Sequence, residues 1–168
     1  LASRRWPLER FAEVADRLVE QGRTVVLTGA LPEMELVQAL LGRMRHEAVN
    51  LVGRTSLWTL GALIEGAERV VSNDTGVSHI AAALGRPSVV ISCGADVARW
   101  APLDHELHRV LWAPMACRPC SQVVCPTGHE CALAVEVRNV DEALDELLPL
   151  PAARLPALAV TTGGACHV

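Results

Sequence analysis

Short runs of aliphatic residues alternate along the chain with segments whose apolar residues recur at three- and four-residue steps. This alternation constrains the fold more than any other feature. Thr24-Val25-Val26-Leu27-Thr28 is too short for a helix and apolar at consecutive positions, the pattern of a strand buried on both faces. Ahead of it, Leu8, Phe11, Ala12, Ala15, Leu18 and Val19 make one face of an amphipathic helix, with Pro7 in its first turn and Gly22 at its end. The pairing then repeats. A helix over about 32–45 leads to a strand at 48–52, and a helix capped by Ser56, with Leu57, Leu60, Leu63, Ile64 and Ala67 inward, leads to a strand at 69–73. A short helix over 76–84, closed by Gly85, leads to a strand at 88–92. A fifth strand is expected at 109–112, and Val140, Ala143, Leu144, Leu147 and Leu148 form the face of a last helix.

Strands separated by helices pair in parallel, because parallel neighbours need a crossover, and right-handed crossovers cover both faces of the sheet. The expected fold class is therefore α/β, a Rossmann-like doubly wound parallel sheet over residues 1–148. Residues 149–168 are rich in Pro, Ala and Gly and read as a tail. The chain opens on Leu1-Ala2-Ser3-Arg4-Arg5-Trp6-Pro7, directly at the approach to a helix, which suggests a piece of a longer protein.

Composition narrows the function classes. An apolar fraction of 51% against 20% charged residues is that of a folding chain and not of a disordered tail. The net charge of −4 argues against a broad nucleic-acid footprint. All 15 basic residues are Arg, so any basic site is a clamp and not a general base. No apolar run reaches the roughly 18–20 residues of a membrane helix, and no signal peptide is visible. No Gly-x-Gly-x-x-Gly follows a strand and no Gly-Lys-Ser/Thr occurs, which argues against a dehydrogenase and a P-loop enzyme.

In a doubly wound sheet, ligands bind at the carboxyl ends of the strands. Three strand ends are polar or carry glycine: Thr28-Gly29 with Glu33 close behind, Asp74-Thr75-Gly76, and Cys93-Gly94-Ala95-Asp96. The second is the most informative. Thr75 is placed to cap a helix starting at Gly76, whose unpaired N–H groups and dipole favour an anion. Gly76 lets a phosphate oxygen approach the backbone. Asp74 beside such a cradle makes sense as an acceptor for sugar hydroxyls, and His79 falls in the first helical turn as donor or cation. From spacing alone, an ordinary capped helix with a satisfied histidine is as good a reading as an anion site. Glu33 at a helix start is by default a favourable acid at the positive dipole end.

Cys117-x2-Cys120-x4-Cys125-x5-Cys131, with His129 inside it, has the density of a metal site. Zinc, structural disulfides and free buried thiols all stay open on this spacing. Trp100 and Trp112 read as packing residues, His105 and His108 as solvent-facing, and Cys93 as a small buried hydrophobe. Arg54 near a strand end reads as a surface ion pair.

Asn73-Asp74-Thr75-Gly76, followed by His79 and Ala81-Ala82-Ala83-Leu84-Gly85-Arg86-Pro87, resembles the signature of the family 9 glycosyltransferases, the ADP-heptose:lipopolysaccharide heptosyltransferases and their relatives. Arg4-Arg5-Trp6-Pro7, Leu27-Thr28-Gly29 with Glu33, and Asn50-Leu51-Val52-Gly53-Arg54-Thr55-Ser56-Leu57 resemble further family segments in the same order, so the similarity runs from about Arg4 to Leu148. The resemblance implies the C-terminal half of a two-domain GT-B glycosyltransferase, the half that binds the nucleotide-sugar donor. It implies that Asp74 holds sugar hydroxyls, that Thr75 and Gly76 hold the diphosphate with His79 nearby, and that Glu33 contacts the ribose or the sugar. Arg4 stands where the family usually has Lys, a phosphate ligand, and Arg5 is the neighbouring candidate.

The implied reaction is an inverting transfer of a sugar, heptose in the named relatives, from an ADP-heptose-like donor to a lipopolysaccharide-type glycan or glycolipid. The acceptor and the catalytic base belong to a missing N-terminal domain, so this chain alone is expected to bind donor without turnover. No cofactor beyond the donor is required, with zinc at the cysteines as the open exception. The implied location is cytoplasmic, peripheral at the inner membrane in the full-length enzyme. Two other readings compete: a nucleotide-sugar epimerase half-domain, and a non-catalytic metal or redox module built on the cysteine cluster.

Overall fold

The computed structural model describes residues 2–147 and 157–161. A 3-10 turn at Ala2–Arg4 precedes α1 (Leu8–Glu20), β1 (Thr24–Thr28), a second 3-10 turn (Leu31–Glu33), α2 (Met34–Leu41), β2 (Val49–Asn50), α3 (Leu57–Gly66) and β3 (Ala67–Asn73). Then come α4 (Gly76–Ala83), β4 (Ser88–Ile91), α5 (Val97–Trp100), β5 (His108–Leu111), α6 (Glu130–Leu133), α7 (Val137–Glu146) and β6 (Ala157–Thr161). The expected alternation is present, and every strand pairing is parallel.

Local sequence accounts for most boundaries. Ser56 Oγ accepts the Thr59 N–H at 3.1 Å and opens α3 as an N-cap. Gly85, at φ +60, takes the left-handed position that closes α4. The helix expected over 32–45 is shorter: Pro32 belongs to the 3-10 turn, and α2 ends at Leu41. Beyond it, the backbone N–H groups of Arg45 and His46 donate to the carboxylate of Asp16 at 3.0 Å, so α1 ties down the following loop.

The helices form two outer layers. Phe11, Val14, Ala15, Val37, Leu40, Val140 and Leu144 build the larger core from α1, α2 and α7 against the sheet. Ile64, Val70, Val77 and Ala81 build a smaller one under α3 and α4. Each fully buried side chain of this size contributes about 1.5–3 kcal/mol. Trp6 is buried at 1% exposure, edge-on to Phe11 at 5.0 Å between ring centres. Its Nε1 donates to Val135 O at 2.8 Å and its backbone N to Asn73 Oδ1 at 2.9 Å. The Trp-Pro entry is thereby fixed to the carboxyl end of β3.

The sheet order is β2-β1-β6-β3-β4-β5. The chain steps outward from β1 to β2 on one side and from β3 to β5 on the other, so the order reverses around β6. Within 149–168, where a tail is expected, residues 157–161 instead form the strand between β1 and β3, in register Val26↔Ala159 and Val70↔Ala159. A central parallel strand is held by two neighbours distant in sequence, and the short Ala-rich run carries no local period to announce it. The rest of that tail and Leu148 lie outside the described residues.

Two smaller expectations are corrected. His108 is buried at 2% exposure, not solvent-facing, because it starts β5 and its Nδ1 shares a hydrogen bond with Ser88 Oγ at 2.8 Å. Leu57 is exposed, because it sits in the first turn of α3, ahead of the stretch that meets the sheet.

Candidate functional site

The strand order reverses around β6, and in this architecture ligands usually bind outside the carboxyl ends of the strands at such a reversal, here beside the ends of β1 and β3. On the β1 side, Thr28 leads into Gly29 and the 3-10 turn. Glu33 is buried, and its Oε2 accepts the Ala30 N–H at 2.8 Å. A Cβ at position 29 would stand 3.0 Å from that oxygen, so the turn is tight enough to favour glycine there. Glu33 therefore closes its own turn, as an acid at a helix start does.

On the β3 side, the Asp74 N–H donates to Ile91 O at 3.1 Å, carrying the β3–β4 ladder one residue past the strand. Thr75 then takes the N-cap position of α4 in extended conformation, but its side chain makes no capping bond. Ser78 supplies the local closure, with its N–H and its hydroxyl both donating to Thr75 O at 3.0 and 2.7 Å. Thr75 Oγ1 is left buried without a hydrogen-bond partner, as are Thr28 Oγ1 and Ser72 Oγ. A buried unpaired hydroxyl costs about 1–3 kcal/mol. Three of them at the carboxyl ends of two strands and one helix cap mark a place where a polar ligand can repay that cost.

Charge converges on the same point. Burial pushes the Asp74 carboxyl above the usual carboxylate range, and His79, Arg4 and Arg118 each pull it partly back. All three side chains therefore lie within electrostatic reach of Asp74. Arg4 donates from Nη2 to Cys120 O at 3.1 Å and keeps a buried Nε without a partner. His79 is exposed and tilts against Trp100, with ring centres 6.1 Å apart. Trp100 and Trp112 are each nearly half exposed, so neither is fully taken up in packing.

Arg118 is the member that sequence reasoning missed. Its guanidinium donates to Ser92 O at 2.9 Å, Ser92 Oγ at 3.1 Å and Ala95 O at 2.7 Å, and it stacks over Trp112 at 5.3 Å. These contacts fix a cation at the end of β4. It also lines a cavity of about 630 Å³ with Ala95, Asp96, Trp112 and Met115. A usable signal existed: residues after β5 leave the sheet at its carboxyl edge, so any Arg in that loop starts out on the ligand side.

Three readings stay open for the cysteines on spacing alone, and the structure favours free thiols. Among the described residues no three His, Cys, Asp or Glu side chains are arranged to hold a metal ion. Cys131 Sγ donates to Cys93 O, the His129 ring engages Ser3 O at 2.8 Å, and Cys125 Sγ accepts the His129 N–H at 3.2 Å. All five described cysteines are free thiols.

A parallel α/β sheet with helices on both faces, matched by solved glycosyltransferase structures, defines a Rossmann-like domain of the GT-B build. A family model described as glycosyltransferase family 9 (heptosyltransferase) matches residues 2–130, and the chain belongs to that family. It is 39% identical over 93 residues to lipooligosaccharide heptosyltransferase 2 of Haemophilus influenzae, covering 53% of this chain and 27% of that protein. The solved structure of E. coli ADP-heptose LPS heptosyltransferase II superposes with a TM-score of 0.73 at 30% identity, over 86% of this chain and 42% of that one. The structure of E. coli heptosyltransferase WaaC with ADP superposes at 0.68 and 25% identity, over 88% and 41%. The chain thus spans less than half the length of these relatives, and it corresponds to their C-terminal part.

Proposed function

We propose that this chain is the donor-binding half of an inverting glycosyltransferase that moves a sugar, heptose by family, from a nucleoside-diphosphate donor to a lipopolysaccharide-type acceptor. The observation that carries the reading is the unpartnered Thr75 hydroxyl at the start of α4, with Arg4, Arg118 and His79 gathered around Asp74. The α4 N-terminus and Thr75 Oγ1 receive the diphosphate, and the two guanidinium groups neutralise it. Asp74, ionised in the presence of these cations, accepts hydroxyls of the transferred sugar. With Glu33 Oε2 held by Ala30, a ribose hydroxyl meets Oε1.

In this reading the cations stabilise the nucleoside diphosphate as the glycosidic bond breaks, and the helix N–H groups add donors that need no reorganisation. The base that deprotonates the acceptor hydroxyl comes from the N-terminal part of the full protein, so the chain by itself binds donor without transferring sugar. Support comes from the family membership and from the ADP named in one structural relative. No helix among the described residues is long and apolar enough to cross a membrane. The acceptor and any membrane contact fall to the rest of the full protein.

Calorimetric titration with ADP, UDP and GDP, and with the matching nucleotide sugars, tests the reading. Binding of ADP, with added affinity for an ADP-sugar, is the expected result. Absence of binding by every nucleotide and nucleotide sugar would overturn it. Sugar transfer catalysed by this chain alone would overturn the assignment of the base to the other half.

A further inference from the structure

The cysteine-rich loop between β5 and α6 has a chemistry that donor binding does not use. The thiols in and beside it fall into two sets. Cys93 and Cys131 are buried and joined by the Cys131 Sγ to Cys93 O hydrogen bond, and burial pushes the Cys93 thiol up to about 12. These two are inert at neutral pH. Cys117, Cys120 and Cys125 instead line one small cavity of about 150 Å³, and none of the three is buried. Among them Cys125 is singled out by its surroundings: Thr127 Oγ1 lies 3.5 Å from its sulfur, and the His129 N–H points at it from 3.2 Å. Donors aimed at a sulfur stabilise its thiolate, and hydrogen bonds from Thr127 first, then from His129, hold the Cys125 thiol below the usual range.

The loop also holds the two guanidinium groups of the candidate site. Cys120 O accepts from Arg4 Nη2, and the Cys120 N–H donates to Gly94 O at 2.8 Å. Val123 O accepts the Ser3 N–H at 3.2 Å, and Gln122 O accepts the Ser3 hydroxyl. Arg118 lies between Cys117 and Cys120. Any closure of the cavity therefore pulls on backbone that seats Arg4 and Arg118.

We propose that this loop is an oxidant-sensitive dithiol site, in which Cys125 is oxidised by a peroxide and then closes a disulfide with Cys117 or Cys120 across their shared cavity, weakening diphosphate binding next door. The Cys125 thiolate attacks one peroxide oxygen; an S–O bond forms, the O–O bond breaks, and the departing hydroxide leaves as water after taking a proton. The second thiol then attacks the Cys125 sulfenic acid. An S–S bond forms, the S–O bond breaks, and the hydroxide takes the attacking thiol's proton. Two thiols lose two electrons in all, and one peroxide becomes two waters. The buried pair Cys93 and Cys131 stays reduced.

The effect on binding rests on the donor-site reading above; the disulfide does not. The test treats the chain with hydrogen peroxide, maps the disulfide by mass spectrometry of peptides, and titrates ADP before oxidation, after it, and after reduction with dithiothreitol. The expected result is a Cys125–Cys117 or Cys125–Cys120 disulfide. ADP affinity falls by about tenfold or more, as loss of one charge-assisted contact does, and dithiothreitol restores it. C125A should block the disulfide while keeping the unfolding temperature and ADP affinity of the reduced wild type. Oxidation centred on Cys93 or Cys131, or a Cys125 disulfide to Cys166 outside the described residues, would overturn the site. A mapped loop disulfide with unchanged ADP affinity would overturn the coupling. If the reduced protein binds no nucleotide, the donor-site reading fails, and the peptide map still decides the dithiol.

Discussion

At the scale of single residues, Asp74 sits under opposed demands. Burial raises its carboxyl pKa, so the ionised form costs stability in the ligand-free fold. The folded state then holds its proton to higher pH than the unfolded state, and this contribution to stability declines as pH rises above 3.8. Asp74→Asn is expected to raise the thermal midpoint of the free chain at neutral pH. The same change should leave ADP binding in place while removing most of the extra affinity for an ADP-sugar, about tenfold or more. Calorimetry beside a thermal melt checks both halves. A variant that loses ADP and ADP-sugar alike would place Asp74 on the diphosphate instead. Thr75→Val probes the neighbouring hydroxyl. Because Thr75 Oγ1 has no partner, the free protein should be no less stable, whereas ADP affinity should fall by about fivefold.

Of the candidate site, the order Asp74-Thr75-Gly76 with His79 was readable from sequence because it is local. Four functional residue types fall within one strand end and one helical turn. Arg118 was not readable, because its role depends on where a long loop folds back and on the Ser92 and Ala95 oxygens that seat it. The state of the cysteines was not readable for a related reason. Spacing reports how many thiols are near one another in sequence and says nothing of which way each points.

At the scale of elements, α1 shows how one buried acid joins two segments. Asp16 is 3% exposed, and its carboxylate holds the N–H groups of Arg45 and His46 beyond the end of α2. Burial pushes its pKa up, but these hydrogen bonds outweigh burial, and the net shift is downward. With the folded value below 3.8, its contribution is complete above that pH and is lost as pH falls through the folded value. Asp16→Ala leaves those N–H groups without acceptors and should cost about 1–3 kcal/mol in urea unfolding at pH 7. The wild-type advantage should shrink as acid protonates Asp16. An equal gap at pH 7 and in strong acid would contradict the role given to the carboxylate. The helix face of α1 was legible because its period is intrinsic to the segment. The Asp16 bond to a loop 29 residues on was not.

At the scale of the molecule, β6 completes the sheet. Backbone ladders pair it with β1 and β3 at once, and the candidate site residues follow the carboxyl ends of β1 and β3. Ala159→Pro removes one N–H from this ladder and should lower stability by at least about 2 kcal/mol, or roughly 4–8 °C in thermal midpoint. Deleting residues 149–168 should abolish cooperative unfolding and nucleotide binding together. A truncated chain that still melts cooperatively and binds ADP would show that the sheet centre does not depend on β6.

The sequence by itself determined the α/β alternation, the parallel pairing it requires, and the strand end where Asp74, Thr75 and Gly76 meet. Each of these follows from residue periods and turn chemistry that act within a few positions. Only the tertiary structure decided that residues 157–161 stand at the sheet centre, that Arg118 joins Arg4 beside Asp74, and that the described thiols divide into a buried pair and an open trio. Those outcomes depend on contacts between segments far apart in the chain, whose energies arise on packing and leave no local pattern to read.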